Sequence, residues 1–193
     1  MKKGLIAVSL LILMAATTTQ AQGGVTFGVG ASGGLTYPIV QDDQGNGTVF
    51  ALRGRWSLGG FGVLEPTLAF TKYGAPDPFE IDGHTSLDLG IDGSKLTMYG
   101  LNFVLGATPG AVGLKPVFMG GVGFYKTSND DTENLQESET KLGFSGGLGL
   151  AIGLSPQFEL DARGQLHVIP SEGGASKKSV TLLVGININF GGN

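Results

Sequence analysis

Residues 158–168 read FELDARGQLHV, and this stretch decides the fold. Its even-numbered positions are apolar or glycine, whereas its odd-numbered positions are charged or polar. Successive side chains of a β-strand point to opposite faces, whereas the apolar face of a helix recurs about every 3.6 residues. The alternation therefore predicts a β-strand with one apolar face and one polar face.

The same two-residue period recurs in seven other segments. These are residues 25–32, 50–58, 64–71, 95–105, 115–124, 142–152 and 180–190. Most of the eight segments are long enough for the roughly 9–11 residues with which a tilted strand crosses a membrane. Their connections alternate between short ones (59–62, 107–113, 154–157) and long ones (38–47, 74–94, 128–140, 170–178). Short periplasmic turns and long external loops are typical of outer-membrane proteins, so we predict an all-β, eight-stranded antiparallel up-and-down transmembrane β-barrel.

The first 21 residues have the layout of a secretory signal peptide. Met1-Lys2-Lys3 is basic, residues 4–16 are apolar, and Thr19-Gln20-Ala21 resembles a cleavage site. The apolar run is shorter than the roughly 20 residues of a spanning helix, which disfavours a membrane anchor. We therefore expect a signal peptide over 1–21 and one barrel domain over 22–193.

The composition excludes several classes of protein. The 193 residues include 35 Gly and no Cys, only 15% are charged, and the formal net charge is -4. Without Cys the chain can form neither a disulfide scaffold nor a thiolate zinc site. The acidic balance argues against binding to nucleic acid.

The polar face of the strands distinguishes a membrane barrel from a soluble one. A lipocalin-like barrel keeps its apolar side chains inside, whereas a membrane barrel turns them toward lipid. Here the polar face is mostly Gly, Ala and Ser, which suit the narrow interior of eight strands. Its charges are nearly balanced, as burial requires. We predict that they form a charge network in the lumen, made of Arg53, Arg55, Glu65, Lys115, Glu159, Asp161 and Arg163.

Aromatic residues collect toward both ends of the predicted strands. Those near the long connections are Tyr37, Phe50, Phe70, Phe124 and Phe144, and those near the short connections are Phe27, Trp56, Phe158 and Phe190. Two such groups are expected where a barrel meets the two membrane interfaces. A secreted soluble barrel that carries an apolar ligand remains the alternative.

With these features the chain resembles the small eight-stranded outer-membrane barrels of the OmpA/OmpX type. The resemblance rests on the signal peptide, on the rhythm of strands and loops, and on a last strand with Val184, Ile186, Ile188 and Phe190 on one face. That last pattern is similar to the C-terminal signal read by the barrel assembly machinery. The aromatic residue usually ends such chains, whereas residues 191–193 follow it here. The resemblance implies the bacterial outer membrane as the location, with outer-membrane lipid, lipopolysaccharide and the assembly machinery as partners.

Two patterns could carry chemistry. His167, Ser171 and Glu172 lie together near a long connection, and some eight-stranded barrels are lipid A deacylases with a His/Ser/Glu site in that region. Those enzymes place His and Ser two residues apart, whereas here the separation is four with Pro170 between them. Residues 28–33 match the dinucleotide motif G-x-G-x-x-G, but no helical pattern follows to hold a phosphate.

The second and third long connections are acidic. Their carboxylates are Asp77, Glu80, Asp82, Asp88 and Asp92, and then Asp130, Asp131, Glu133, Glu137 and Glu139. Their spacing does not match a calcium loop, so solvated charge is the simpler interpretation and bridging to divalent ions or lipopolysaccharide the alternative. We predict a non-enzymatic outer-membrane barrel without cofactor or metal. Four external loops would give it a structural and surface-contact role, and a lipid-modifying enzyme is the alternative.

Overall fold

The computed structural model describes residues 26–39, 45–58, 62–74, 79–81, 85–87, 94–128, 139–171 and 176–191. The predicted signal peptide lies outside these ranges. The strands are β1 (Phe27–Pro38), β2 (Gly45–Ser57), β3 (Val63–Gly74), β4 (Phe79–Ile81), β5 (Thr85–Leu87), β6 (Lys95–Leu105), β7 (Gly113–Ser128), β8 (Glu139–Gly153), β9 (Phe158–Ile169) and β10 (Lys177–Phe190). No helix in the described part of the chain is long and apolar enough to span a membrane.

Eight strands close into one barrel in the order β1-β10-β9-β8-β7-β6-β3-β2. Every neighbouring pair is antiparallel, and β1 closes the barrel because it pairs with both β2 and β10. Phe27 lies opposite Trp56 on one side and Phe190 on the other. The predicted fold is therefore confirmed.

The two ends of the barrel differ in their connections. Residues 39–44, 75–94, 129–138 and 170–176 connect strands at one end, which we call the long-loop end. Residues 58–62, 106–112 and 154–157 connect strands at the other, the short-turn end. In the second short turn Gly106 and Gly110 have φ angles of 80° and 84°, which side-chain-bearing residues rarely adopt.

Two local features differ from the predictions. β4 and β5 form a separate two-stranded sheet within the connection 75–94, where three-residue strands are too short to show a two-residue period. β2 begins at Gly45, although Asn46-Gly47 has the composition of a turn. A Cβ at Gly47 would overlap the carbonyl oxygen of Lys72 on β3, so this glycine allows close strand approach instead.

The side chains alternate between the outside and the lumen as predicted. The outer surface carries exposed apolar residues on all eight barrel strands, such as Phe118, Leu148 and Val184, which are 58%, 65% and 68% exposed. A soluble protein rarely exposes so large an apolar surface, whereas lipid covers it in a membrane barrel. The charged side chains of β2 and β9, together with Glu65 of β3, are buried inside.

Candidate functional site

The seven predicted lumen charges lie in the half of the barrel near the short-turn end. Four strands supply them: β2 carries two arginines, β3 one glutamate, β7 one lysine, and β9 three residues. All seven have odd residue numbers, and the odd-numbered positions of β2, β3, β7 and β9 face the lumen. Six of the side chains are at most 3% exposed, and only Lys115 reaches 13%.

The first part of the network joins β2 to β9 across the lumen. Arg53 donates two parallel hydrogen bonds to Asp161, with Nη1–Oδ2 2.8 Å and Nη2–Oδ1 3.1 Å. The same carboxylate forms an ion pair with Nε of Arg163. Arg163 in turn donates two hydrogen bonds to Glu65 on β3, with Nη1–Oε2 2.5 Å and Nη2–Oε1 3.1 Å. Paired bonds of this kind are the strongest and most directional that arginine makes with a carboxylate.

The second part continues from Glu65 toward the short-turn end. Glu65 Oε1 also accepts a 2.9 Å hydrogen bond from Nε of Arg55. Arg55 Nη1 lies 2.8 Å from Oε1 of Glu159, and Glu159 Oε2 lies 2.9 Å from Nζ of Lys115. The seven residues thus form one alternating sequence of cations and anions, which we call the ion-pair chain: Arg53, Asp161, Arg163, Glu65, Arg55, Glu159 and Lys115.

Polar groups that the sequence analysis did not assign to the network complete it. Asn187 on β10 donates a 3.1 Å hydrogen bond to Glu159, and Asn189 accepts a 3.4 Å bond from Arg55. The ammonium group of Lys115 also donates to the carbonyl oxygens of Thr108 and Ala111 in a short turn, both at 3.0 Å. The inward parity of Asn187 and Asn189 was evident from the sequence, but amides carry no charge that would indicate a partner.

The half of the lumen near the long-loop end contains an apolar cluster beside buried polar residues such as Thr36, His167 and Thr181. Its buried cluster consists of Val49, Ala51, Ala69, Met98, Tyr125, Ile169 and Leu183. A second buried apolar cluster, which includes Val63, Val104 and Val117, lies nearer the short-turn end, so apolar side chains accompany the polar and charged ones in both halves of the lumen. A cavity of about 30 Å³ remains in the half near the long-loop end, which accommodates water but not a lipid or a drug-sized ligand.

Of the residues considered for catalysis, the two that the structure describes, His167 and Ser171, do not form a catalytic pair. His167 is buried in the lumen, and its Nδ1 lies 2.9 Å from the hydroxyl of Tyr125. Ser171 lies beyond the end of β9, where its hydroxyl accepts a 3.4 Å hydrogen bond from Lys141. A serine nucleophile requires its histidine base within hydrogen-bond reach, and no hydrogen bond of the described residues joins Ser171 to His167. Glu172 lies outside the described residues.

The acidic loop residues lie almost entirely outside the described ranges. The exceptions are Glu80, which lies in β4, and Glu139, whose exposed carboxylate forms a 2.9 Å ion pair with Lys141. Within the described residues no three acidic or histidine side chains converge as a metal site would require.

The residues predicted as a C-terminal assembly signal lie on the outer face of β10. Val184, Ile186 and Phe190 are 68%, 53% and 50% exposed, and Ile188 shares their face. A lipid-facing row of this kind is accessible along the strand that closes the barrel against β1.

The ion-pair chain makes a prediction for Arg163. The replacement Arg163→Leu removes the pairs with Glu65 and Asp161, but these carboxylates keep Arg55 and Arg53. The ion-pair chain then holds three cations and three carboxylates, so no carboxylate is left without a cation. We therefore expect the free energy of unfolding to fall by only about 1–3 kcal/mol. Urea unfolding in detergent, followed by fluorescence of the single Trp, measures it. Lys141→Leu, which breaks an exposed pair, is the control and should cost less than about 1 kcal/mol; equal stability of Arg163→Leu and wild type would contradict the network.

Comparisons with known proteins agree with this architecture. The sequence profile of a family described as outer membrane protein beta-barrel domain matches residues 5–190. Among solved structures, the chain is similar to Neisserial surface protein A (NspA), with 15% identity and a TM-score of 0.59 over 87% of this chain and 98% of that one. It is also similar to the N-terminal barrel domain of Pseudomonas aeruginosa OprF, with 17% identity and a TM-score of 0.53 over 86% and 97%.

A major outer membrane protein from Thermus thermophilus has the same fold, with 17% identity and a TM-score of 0.52 over 87% of this chain and 100% of that one. No curated protein sequence matches the chain significantly. The predicted resemblance to small outer-membrane barrels and the predicted location are confirmed. The soluble-barrel alternative is wrong, because the family is one of outer-membrane barrels and apolar side chains cover the outside of the barrel, whereas its arginines and the carboxylates that they pair with are buried inside.

Proposed function

Because the chain belongs to the family of outer membrane protein beta-barrel domains, we propose that it is a non-enzymatic barrel with a structural and surface-contact role. Its lumen is closed by the ion-pair chain, and its long connections face the outside of the cell. The barrel fixes these four external loops at one end, where they contact other molecules at the surface. The row from Val184 to Phe190 on β10 is presented to the barrel assembly machinery during insertion.

The observation that carries the proposal is that the lumen charges pair with one another. Each carboxylate of the ion-pair chain contacts two cations, and six of its seven side chains are almost completely buried. A catalytic acid, base or nucleophile must reach a substrate, and a permeation path requires charges that face water. Groups arranged in this way stabilise the interior of the barrel and leave interaction to the loops.

The orientation of the barrel can be tested because the chain contains no Cys. We expect Ser128→Cys, at the exposed long-loop end of β7, to react with a membrane-impermeant maleimide on intact cells. Gln157→Cys, in an exposed short turn, should react only after the envelope is broken. Both labelled proteins should migrate differently on a denaturing gel before and after boiling, as folded barrels do. Labelling of Gln157→Cys on intact cells would reverse the proposed orientation.

The absence of an enzymatic role is tested on membrane lipid. Deletion of the gene, and its complementation with wild type or with His167→Ala/Ser171→Ala, should all leave the mass spectrum of lipid A unchanged. A lipid A species that appears with wild type and disappears with the double variant would establish the deacylase-like alternative.

A further inference from the structure

The ion-pair chain begins and ends with a cation. It consists of four cations and three carboxylates, so it carries one positive charge in excess. The other charged residues at inward positions of the described barrel strands are Glu139, Lys141 and Lys177, and they lie at the rim of the long-loop end. A buried charge without a partner is costly, so the excess charge requires compensation inside the lumen.

The two terminal cations of the ion-pair chain have different surroundings. Lys115 donates to two backbone carbonyl oxygens as well as to Glu159, and 13% of its side chain is exposed. Arg53 is only 3% exposed and contacts one carboxylate, that of Asp161, which it shares with Arg163. The Nε atom of Arg53 has no hydrogen-bond partner among the described residues. The excess charge is therefore least compensated at Arg53.

Arg53 borders the cavity of about 30 Å³ in the long-loop half, which we call the lumen cavity. Arg53 and Arg163 line this cavity, whereas their partners Asp161 and Glu65 do not. Among the described residues no carboxylate lines the cavity, so the two guanidinium groups are the fixed charges of its wall. Cations that line a space with walls of low dielectric constant raise the local concentration of anions.

The wall of the lumen cavity also contains polar groups with hydrogens to donate. Gln165 donates one hydrogen bond from Nε2 to the sulfur of Met119 at 3.0 Å. A thioether is a weak acceptor, and an amide nitrogen carries a second hydrogen. The hydroxyl of Thr36 accepts a 3.5 Å bond from Thr181 and keeps its own hydrogen for another acceptor. The cavity therefore combines positive charge with donors and lacks a matching acceptor.

The volume of the lumen cavity determines which anions fit. A buried water molecule requires roughly 10–15 Å³ of such space. A cavity of about 30 Å³ accommodates a monatomic anion with a water molecule beside it. Sulfate and phosphate each have five non-hydrogen atoms and do not fit. A single negative charge also matches the single excess positive charge of the ion-pair chain.

We propose that the lumen cavity binds one chloride ion, which compensates the excess charge at Arg53 and stabilises the folded barrel. The ion reaches the cavity from the long-loop end. A second cavity of about 20 Å³ lies nearer that end and shares Tyr73, Leu96 and Ser179 with the wall of the lumen cavity.

The test measures the melting temperature Tm of the folded barrel in detergent micelles while chloride replaces gluconate at constant ionic strength. Gluconate is too large for the lumen cavity and screens surface charges to the same extent. A ligand that binds only the folded state stabilises it according to its concentration and dissociation constant. We therefore expect the Tm of wild type to rise with chloride concentration along a binding curve. A Tm that does not change with chloride would overturn the proposal.

The variant Gln165→Glu identifies the site because it adds a carboxylate to the wall of the lumen cavity without changing its shape. Four carboxylates then balance four cations, so we expect the Tm of this variant to be independent of chloride. Gln157→Glu is the matched control, since it makes the same chemical change in an exposed short turn and should keep the wild-type chloride dependence. A full chloride dependence in Gln165→Glu, or an equal loss in Gln157→Glu, would overturn the site.

A second measurement on wild type does not depend on the folding of any variant. Crystals soaked in bromide, which replaces chloride and scatters anomalously, should show an anomalous difference peak in the lumen cavity next to Arg53. Peaks confined to the protein surface would mean an adventitious ion only and would overturn the proposal. Neither measurement depends on the orientation of the barrel or on its loops, so a negative result would leave the proposed function standing.

Discussion

The replacement Glu65→Gln should lower the free energy of unfolding by about 3–5 kcal/mol, the cost of removing one partner from a buried ion pair. Glu65 is completely buried and contacts Arg163 with both carboxylate oxygens and Arg55 with one of them. Glutamine has nearly the same shape, so no cavity forms. However, only the oxygen of its amide group accepts hydrogen bonds. The NH₂ group that replaces the second carboxylate oxygen is a donor and faces the donor groups of the arginines. The ion-pair chain then holds four cations and two carboxylates.

This imbalance makes Glu65→Gln more damaging than Arg163→Leu, although the two residues are direct partners. Urea unfolding in detergent, with Trp fluorescence and the gel shift on boiling as two independent signals, measures both variants. Glu139→Gln is the matched control because it removes the same charge from an exposed pair, and it should cost less than about 1 kcal/mol. If Glu65→Gln were no less stable than Glu139→Gln, the ion-pair chain would not stabilise the barrel.

The alternation of inward and outward positions along each strand made the members of the ion-pair chain predictable. It did not predict which of them pair with each other. Arg53 and Asp161 are 108 positions apart, and Arg163 and Glu65 are 98 apart. In both pairs the two strands are not neighbours in the barrel, since β9 lies between β8 and β10. Which side chains meet across a lumen depends on the tilt and stagger of the closed sheet, and alternation within one strand contains no information about either.

The apolar cluster near the long-loop end escaped prediction for a related reason. Val49 and Leu183 occupy inward positions among polar neighbours, where a short apolar side chain does not interrupt the alternation. The contact between Tyr125 and His167 joins β7 to β9 across β8, again a pair that only the closed barrel brings together.

Glycines of β8 make the second prediction with a large effect, because Gly147 and Gly149 face the lumen whereas Gly146 faces outward on the same strand. A Cβ at Gly147 would overlap the carbonyl oxygen of Gly164 and lie 3.0 Å from Cα of Gln165. A Cβ at Gly149 would overlap the carbonyl oxygen of Ala162 and lie 3.1 Å from Cα and Cγ of Arg163. In both cases the added Cβ would overlap the backbone of β9, and a change of side-chain rotamer cannot relieve such an overlap.

We therefore expect Gly147→Ala/Gly149→Ala to cost about 1–3 kcal/mol per site, the usual penalty for overpacking. The displacement of Arg163 would also weaken its hydrogen bonds to Glu65, which lowers the stability further. Gly146→Ala is the matched control: its Cβ would meet only the Met119 carbonyl oxygen at 3.9 Å, an ordinary contact, so its stability should equal or slightly exceed that of wild type. The measurement is the fraction of folded barrel on an unboiled gel across a urea series. If the double variant folds as well as Gly146→Ala, β8 and β9 can move apart without cost. The close approach of these two strands would then not be required to hold Arg163 in the ion-pair chain.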